Sequence, residues 1–335
     1  MPAKQPLYAS PESVSSILVI GRQPNSTYDL YIEPRLTNDA RQKLAYFDPA
    51  ADVFDDAAVK PDQCLVIINR YVSPKVMRWL EKHKSVFHGV IWLVDDDLSA
   101  MTFGQGVTLK NRFWPALTVR YKKRLKMVVD YLIVSTRRLA AIYQDWPVVI
   151  MPPVAKTSPV EKPIDPNQLY YFAKMHGPEH RFLYPMVEYI LANNEKATFT
   201  VTANGSWAKK WQRLDRVTVL SEMSYAEYSY FLPTLDRGGI FLVPLMPTWL
   251  NASRSNAKLI DVVRSGSAAI VADHPAYRTF LNDEGVEKGT AATFDVNKPI
   301  QTVEAILNNS EAAKANHQVL KNYVTKVYEN RQMIV

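Results

Sequence analysis

Arg254, Ser255, Lys258 and Asp261 place two cations, a hydroxyl and a carboxylate within eight positions of the stretch NASRSNAKLIDVVRSGSAAIVADHPAY, residues 251–277. Cations beside free backbone N–H groups suit an oxyanion such as a phosphate, and a carboxylate further along suits sugar hydroxyls. On a helix over 254–265, at about 100° per residue, Arg254, Lys258, Asp261 and Ser265 share a narrow arc. Leu259, Ile260 and Val263 fall opposite. Asn251 or Ser253 can cap the start, and Gly266 supplies the stop. The predicted helix N-terminus at 254–256 is then an anion site, with Asp261 roughly two turns on, the reach from a diphosphate to a ribose hydroxyl. A plainer reading stays open. The same face can simply be solvated, with Lys258 and Asp261 as an i,i+3 pair contributing about 0.2–0.5 kcal/mol.

Other residues carry chemistry at strand ends. Asp95, Asp96 and Asp97 in VIWLVDDDLSA allow three readings: a turn whose Asp caps the next helix, an acceptor-side role with Asp96 as general base, or a divalent-metal site. His176 and His180 flank the segment GPE, and His274 also follows a strand, so His180 and His274 are candidates for donor contact. The loop GRQPNSTYDLYIEPRL (21–36) offers Asn25, Ser26, Tyr28 and Arg35 to an acceptor. His88 precedes a strand and reads as structural. Arg120, Lys122, Lys123, Arg124 and Lys126, near Phe113 and Trp114, form a basic stretch suited to an anionic membrane surface or to plain solvation.

These residues need a scaffold, and the chain supplies one twice. Apolar runs at 16–21, 64–69, 89–94, 131–136 and 148–152 alternate with helical patterns at 73–84, 117–130 and 137–144. Strands without polar alternation, spaced by helices, predict a parallel sheet covered on both faces. A proline-rich stretch follows, and the pattern restarts with strands at 169–175, 197–203, 216–223, 239–245 and 268–273. The expected division is an acceptor-side α/β domain (1–153), a linker (154–168), a nucleotide-sugar-binding α/β domain (169–309) and a C-terminal helical segment (310–335) that packs back on the first domain. The expected fold class is α/β, two doubly wound Rossmann-like domains facing a cleft, with ligands beyond the carboxyl ends of the strands.

Composition narrows the function classes. The 335 residues are 47% hydrophobic with a net charge of +7, which favours packed cores and anionic ligands. No zinc-ligand spacing or RNA-recognition signature accompanies that charge, so nucleic acid is not an expected partner. The apolar runs fall short of the ~20 residues a spanning helix needs. A single cysteine, Cys64, and an N-terminus without an apolar signal core predict a cytoplasmic protein, peripheral on the inner face of the plasma membrane if the basic stretch is used.

The segment 241–277 resembles the donor-binding segment of GT-B glycosyltransferases of the bacterial surface-polysaccharide type. Members there read strand, Pro-Leu, a loop ending in Asn, then Lys-Ser, Lys and Glu on a helix, Gly, a second strand and Tyr. The matching positions are Pro244, Leu245, Asn251, Arg254, Ser255, Lys258, Asp261, Gly266 and Tyr277. Arg254 stands where Lys is usual and Asp261 where Glu is usual. The first glutamate of the Glu-x7-Glu pattern falls on Ser253, so stereochemistry stays open. VIWLVDDDLSA, YLIVSTRRLA with VVIMPPV, and YYFAKMHGPEHRFLYPMVEYIL are similar to other parts of such enzymes; in the last, His180 fits, but Leu183 occupies the acidic position. The resemblance implies a transferase that moves sugar from a nucleotide-sugar donor to a glycan or lipid-linked glycan. Arg254, Lys258 and Asp96 would be catalytic, with Asn251, Ser255, Asp261, His180, His274 and Tyr277 holding the donor. No metal or other cofactor is expected. A metal-dependent GT-A transferase using Asp95–Asp97, a sugar-nucleotide epimerase and a non-catalytic binding protein are the alternatives.

Overall fold

Runs such as CLVIIN, GVIWLV and GGIFLV are buried at every position, as central parallel strands covered on both faces must be. The structure is a computed structural model and describes residues 6–8, 13–49, 60–104, 109–155, 162–173, 177–283, 292–294 and 298–335.

Two six-stranded sheets form, and every pairing within them is parallel. The first contains β1 (Ser16–Ile20), β2 (Leu44–Phe47), β3 (Cys64–Asn69), β4 (Gly89–Val94), β5 (Tyr131–Val134) and β6 (Val148–Ile150) in the order β2-β1-β3-β4-β5-β6. Its strand order reverses between β1 and β3, the position at which doubly wound sheets open a ligand crevice. The second contains β7 (Ile164–Tyr171), β8 (Thr198–Thr202), β9 (Val217–Leu220), β10 (Gly238–Val243), β11 (Ala268–Ala272) and β12 (Ala292–Phe294) in the order β12-β11-β10-β7-β8-β9. Its reversal lies between β7 and β10, the dinucleotide-binding arrangement. Each sheet has its own core, one around Trp92 and one around Phe199 and Trp211. The α/β fold class expected from the apolar runs is the one the chain adopts.

Several boundaries differ from the sequence reading. Two short edge strands, β2 and β12, lie outside the predicted set; β2 is only four residues long, with Ala45 and Tyr46 exposed. The proline-rich stretch 154–168 is not wholly a linker, because β7 begins at Ile164 and includes Pro166. The β7–β10 register shifts between Gly238 and Ile240, and that irregularity admits a proline where a regular ladder would not. The helix expected over 117–130 is two helices, Leu109–Arg120 and Lys122–Val128, broken where Tyr121 takes ψ near 0°.

The chain divides into two units with discontinuous membership: residues within 1–155, 248–255 and 329–335 form one, and 156–247 with 256–328 the other. The C-terminal segment is therefore split. Helix Ser310–Glu329 belongs to the second unit almost throughout, where Asn316 accepts from the Ala269 N–H at 2.9 Å and His317 Nδ1 meets Ser267 O at 2.7 Å. Only the tail joins the first unit, with Ile334 and Val335 buried and the Ile334 N–H donating to Arg35 O. Among the described residues no helix is long and apolar enough to cross a membrane.

Candidate functional site

The candidate residues separate between the units. Asp96, Asn251, Arg254 and Ser255 belong to the first; Lys258, Asp261, His180, His274 and Tyr277 belong to the second.

The opening expectation for 254–265 is corrected in one respect. Helix begins only at Lys258 and ends at Arg264. Before it, Asn251–Ser253 is a 3-10 turn, and Arg254 is extended (φ −61°, ψ 147°). The cause is local: Thr248 Oγ1 accepts the Asn251 N–H at 3.1 Å and Asn251 O accepts the Arg254 N–H at 3.0 Å, closing a separate turn. Arg254 and Lys258 therefore do not share a helix face. Ser265 is fully buried, donating to Val262 O at 2.8 Å, and is not on an open face.

In the first unit, the carboxyl ends of β3 and β4 carry a dense ion network. Asp95 receives Arg70 in a two-pronged pair and accepts the Thr27 hydroxyl at 2.9 Å. Asp96 lies between two guanidinium groups, Arg70 Nη2 on one oxygen and Arg254 Nη1 on the other, each at 3.3 Å. Asp97 takes the capping reading: its carboxylate accepts the N–H groups of Ser99 and Ala100, starting helix Leu98–Phe103. Ser255 Oγ is 2.8 Å from the Tyr31 hydroxyl, whose pKa burial and the neighbouring Asp95 push up. Asn251 is buried. The Ser-Thr pair after β5 is used locally: Ser135 donates to Asp95 O, and Thr136 caps its own helix while donating to Ser253 O.

These contacts bear on the alternatives. Carboxylates engaged by guanidinium groups and backbone N–H groups are poorly placed to ligate a cation, and among the described residues no cluster of His, Cys, Asp or Glu suits a metal. A GT-A reading is further opposed by the second complete sheet. Asp96 with both oxygens on arginines is held as a charge partner rather than left as an open base.

The loop after β1 contributes differently from expectation. It contains a π-helical turn at Tyr28–Ile32, a geometry frequent at functional sites. Arg35 is buried and donates to the carbonyls of Leu30, Tyr31 and Pro152, at 3.3, 3.1 and 2.6 Å, so it braces the loop rather than meeting a ligand. Tyr28 pairs with the Tyr46 hydroxyl at 2.7 Å, and Asn25 accepts the Tyr28 N–H at 2.9 Å.

In the second unit, Lys258 Nζ reaches Phe172 O at 3.0 Å, directly beyond β7 at the order reversal. It also meets Asp261 Oδ2 at 2.8 Å and the Tyr228 hydroxyl at 3.3 Å, and Tyr228 donates to the same Asp261 oxygen at 3.1 Å. The i,i+3 pairing of the plainer reading is thus present, at a crevice position. His180 is buried, accepting the Trp211 indole N–H on Nδ1 at 3.0 Å and stacked on Trp207. Burial drops its pKa from 6.5 to about 4, so it stays neutral with its proton on Nε2. His274 Nδ1 accepts the Ala276 N–H at 3.1 Å, capping helix Pro275–Leu281, which carries buried Tyr277. His176 lies outside the described residues.

The sequence reading missed Arg70, Tyr31, Thr27 and Tyr228. Arg70 had a signal, since it directly follows the apolar run of β3; Tyr228 had none beyond lying on a helix.

Of the basic stretch, Arg124 pairs with Glu81 at 2.7 and 2.5 Å, and Lys122 lies 4.3 Å over the Tyr143 ring. Arg120, Lys123 and Lys126 are exposed, as are Phe103, Leu109 and Phe113 nearby in sequence.

No protein-family model and no curated protein sequence matches the chain. Solved structures do resemble it. The pneumococcal O-GlcNAc transferase GtfA, in complex with UDP and GlcNAc, is similar at 16% identity and a TM-score of 0.53, over 82% of this chain and 57% of that one. TarM is similar at 12% identity and a TM-score of 0.58, over 82% of this chain and 54% of its own. The chain thus spans little more than half the length of these two. Anabaena HepE, in complex with UDP and glucose, is similar over 94% of this chain and 95% of its own, at 10% identity and a TM-score of 0.59. At such identities the likeness speaks to architecture, and with two doubly wound parallel sheets, one of them in the dinucleotide-binding order, the chain has the GT-B fold.

Proposed function

We propose that this protein is a glycosyltransferase that moves a sugar from a nucleotide-sugar donor to a glycan or lipid-linked glycan acceptor in bacterial surface-polysaccharide synthesis. The observation that carries the reading is the Lys258 ammonium beyond β7, at the strand-order reversal of the second sheet. The UDP in the structures of GtfA and HepE supports the donor class.

In this reading Lys258 meets the donor phosphates and Asp261, steadied by Tyr228, takes a ribose hydroxyl. Negative charge grows on the departing phosphate in the transition state, so a fixed cation there lowers the barrier more than it tightens ground-state binding. Arg254, with Asn251 and Ser255 supporting its turn, is a candidate cation of the first unit in its own right. His180, His274 and Tyr277 are shaping residues of the donor unit. Transfer is expected to proceed without a metal. Membrane contact, through Arg120, Lys123 and Lys126 with Phe103, Leu109 and Phe113, would bring the enzyme to a lipid-linked acceptor.

A thermal-shift panel of uridine, guanosine, cytidine and thymidine diphosphates tests the donor class, with at least one stabilising the wild type and not Lys258→Ala. Release of nucleotide from the matching sugar donor should persist in excess chelator. Dependence on a divalent ion would argue for the metal reading, consumption of donor into an isomeric sugar nucleotide for an epimerase, and binding without turnover for a non-catalytic protein.

A further inference from the structure

Two arginines of the first unit, Arg70 and Arg254, are more exposed than the carboxylates they meet. The side chains of Asp95 and Asp96 are only 9% and 7% exposed, while Arg70 and Arg254 are 24% and 34% exposed. The arginine side chains are thus more exposed than the carboxylates that hold them, and the four charges sum to zero. A network serving only its own neutralisation has no need of that asymmetry.

Two further features point to a ligand. Arg70 adopts φ +67°, a left-handed backbone costly for a side chain of its kind, and the fold holds it there: its N–H donates to Leu93 O and its carbonyl accepts the Trp92 indole N–H, both at 3.0 Å. Each arginine is also directly preceded by a buried polar residue with an atom that has no partner among the described residues, Asn69 Oδ1 before Arg70 and Ser253 Oγ before Arg254. Arg254 Nε is likewise buried and unpartnered. Buried polar atoms are nearly always satisfied, so these atoms mark bonding left incomplete in the two segments that present the arginines.

We propose that Arg70 and Arg254, held by Asp95 and Asp96, form an oxyanion clamp on the first unit that takes a phosphate or carboxylate of a ligand. Arg70 is the new member, and the anion is either the nucleotide's own phosphate or an acidic group of the acceptor. The clamp rests on the transferase reading only for the choice of nucleotide as probe.

The test is calorimetric titration of the full chain with UDP, uridine and inorganic pyrophosphate. Arg70→Gln would strand a buried carboxylate, so it is combined with Asp95→Asn, and Arg254→Gln serves as the independent second variant. In folded variants, UDP binding weakened ten-fold or more with uridine binding unchanged supports a clamp on the nucleotide's phosphate. Unchanged UDP binding with loss of pyrophosphate binding supports a clamp on an acceptor anion. Wild-type affinity for both anions in both variants, or no binding of either anion by the wild type, overturns the proposal. Lys258→Ala in the same titration keeps the two ideas apart. Loss of nucleotide there, with no effect at Arg70 or Arg254, sinks the clamp alone; pyrophosphate binding that needs the arginines, without nucleotide binding by the wild type, sinks the donor reading alone.

Discussion

Mild acid should loosen the second unit through His180. Its imidazole accepts the Trp211 indole N–H, is stacked on Trp207 and is nearly sealed from solvent, so protonation in place would both bury a charge and break that bond. The folded pKa of about 4, against 6.5 for the ordinary group, means that between those values the unfolded chain binds a proton and the folded chain does not. Stability therefore rises with pH across this window: the contribution is fully present above about 6.5 and is lost as pH falls toward 4. At about 1.4 kcal/mol per unit, the span is worth on the order of 3 kcal/mol. His274 and His317, also depressed chiefly by burial, act in the same direction. Denaturant unfolding of wild type and His180→Gln at intervals from pH 7 to 4.5 measures the effect. The wild type should lose stability more steeply than the variant, and NMR should show the His180 ring neutral at pH 5. Parallel curves for the two proteins, or a His180 titration near 6.5, would refute the reasoning.

Removing the Lys258 ammonium should weaken nucleotide diphosphate binding about 10- to 150-fold, the worth of one charge-assisted contact, while Asp261 keeps Tyr228 and the fold stays intact; calorimetry and circular dichroism check both halves. Arg35→Ala strips three loop carbonyls of a buried donor, so a loss of about 3 kcal/mol or more is expected in denaturant unfolding, against less than about 0.5 for exposed Arg120→Ala. Asp97→Ala should cost about 1 kcal/mol by removing a helix cap without touching nucleotide affinity, whereas Asp96→Ala should leave stability changed and alter anion binding through Arg254. Gly238→Ala should be poorly tolerated, because its Cβ would come within 2.0 Å of Gly266 O; low soluble yield and a reduced melting temperature are the readouts.

The sheets were legible because their central strands, such as Cys64–Asn69 and Gly238–Val243, are apolar on both faces, a pattern no exposed segment needs. The edges were not. Leu44–Phe47 is apolar by type but half wet and only four residues long, too short a run to mark a strand, and Pro166 hid the start of β7 because a bulge, which is a pairing property, admits it. The site was legible by residue type and less so by geometry. Lys258 and Asp261 do pair on one helix, but the periodicity that put Arg254 on the same face ignored Thr248, whose hydroxyl closes a separate turn. Arg70 escaped notice because its importance comes from a left-handed backbone at a strand end and from Asp95 and Asp96 on the neighbouring strand. Neither is written in local sequence.

The most direct measurement is a crystal structure of the protein with a nucleoside diphosphate that stabilises it. The account predicts phosphate oxygens within hydrogen-bonding distance of Lys258 Nζ beyond β7, with the ribose at Asp261. A nucleotide bound elsewhere, with Lys258 still engaged only by Phe172 O, Tyr228 and Asp261, would contradict it.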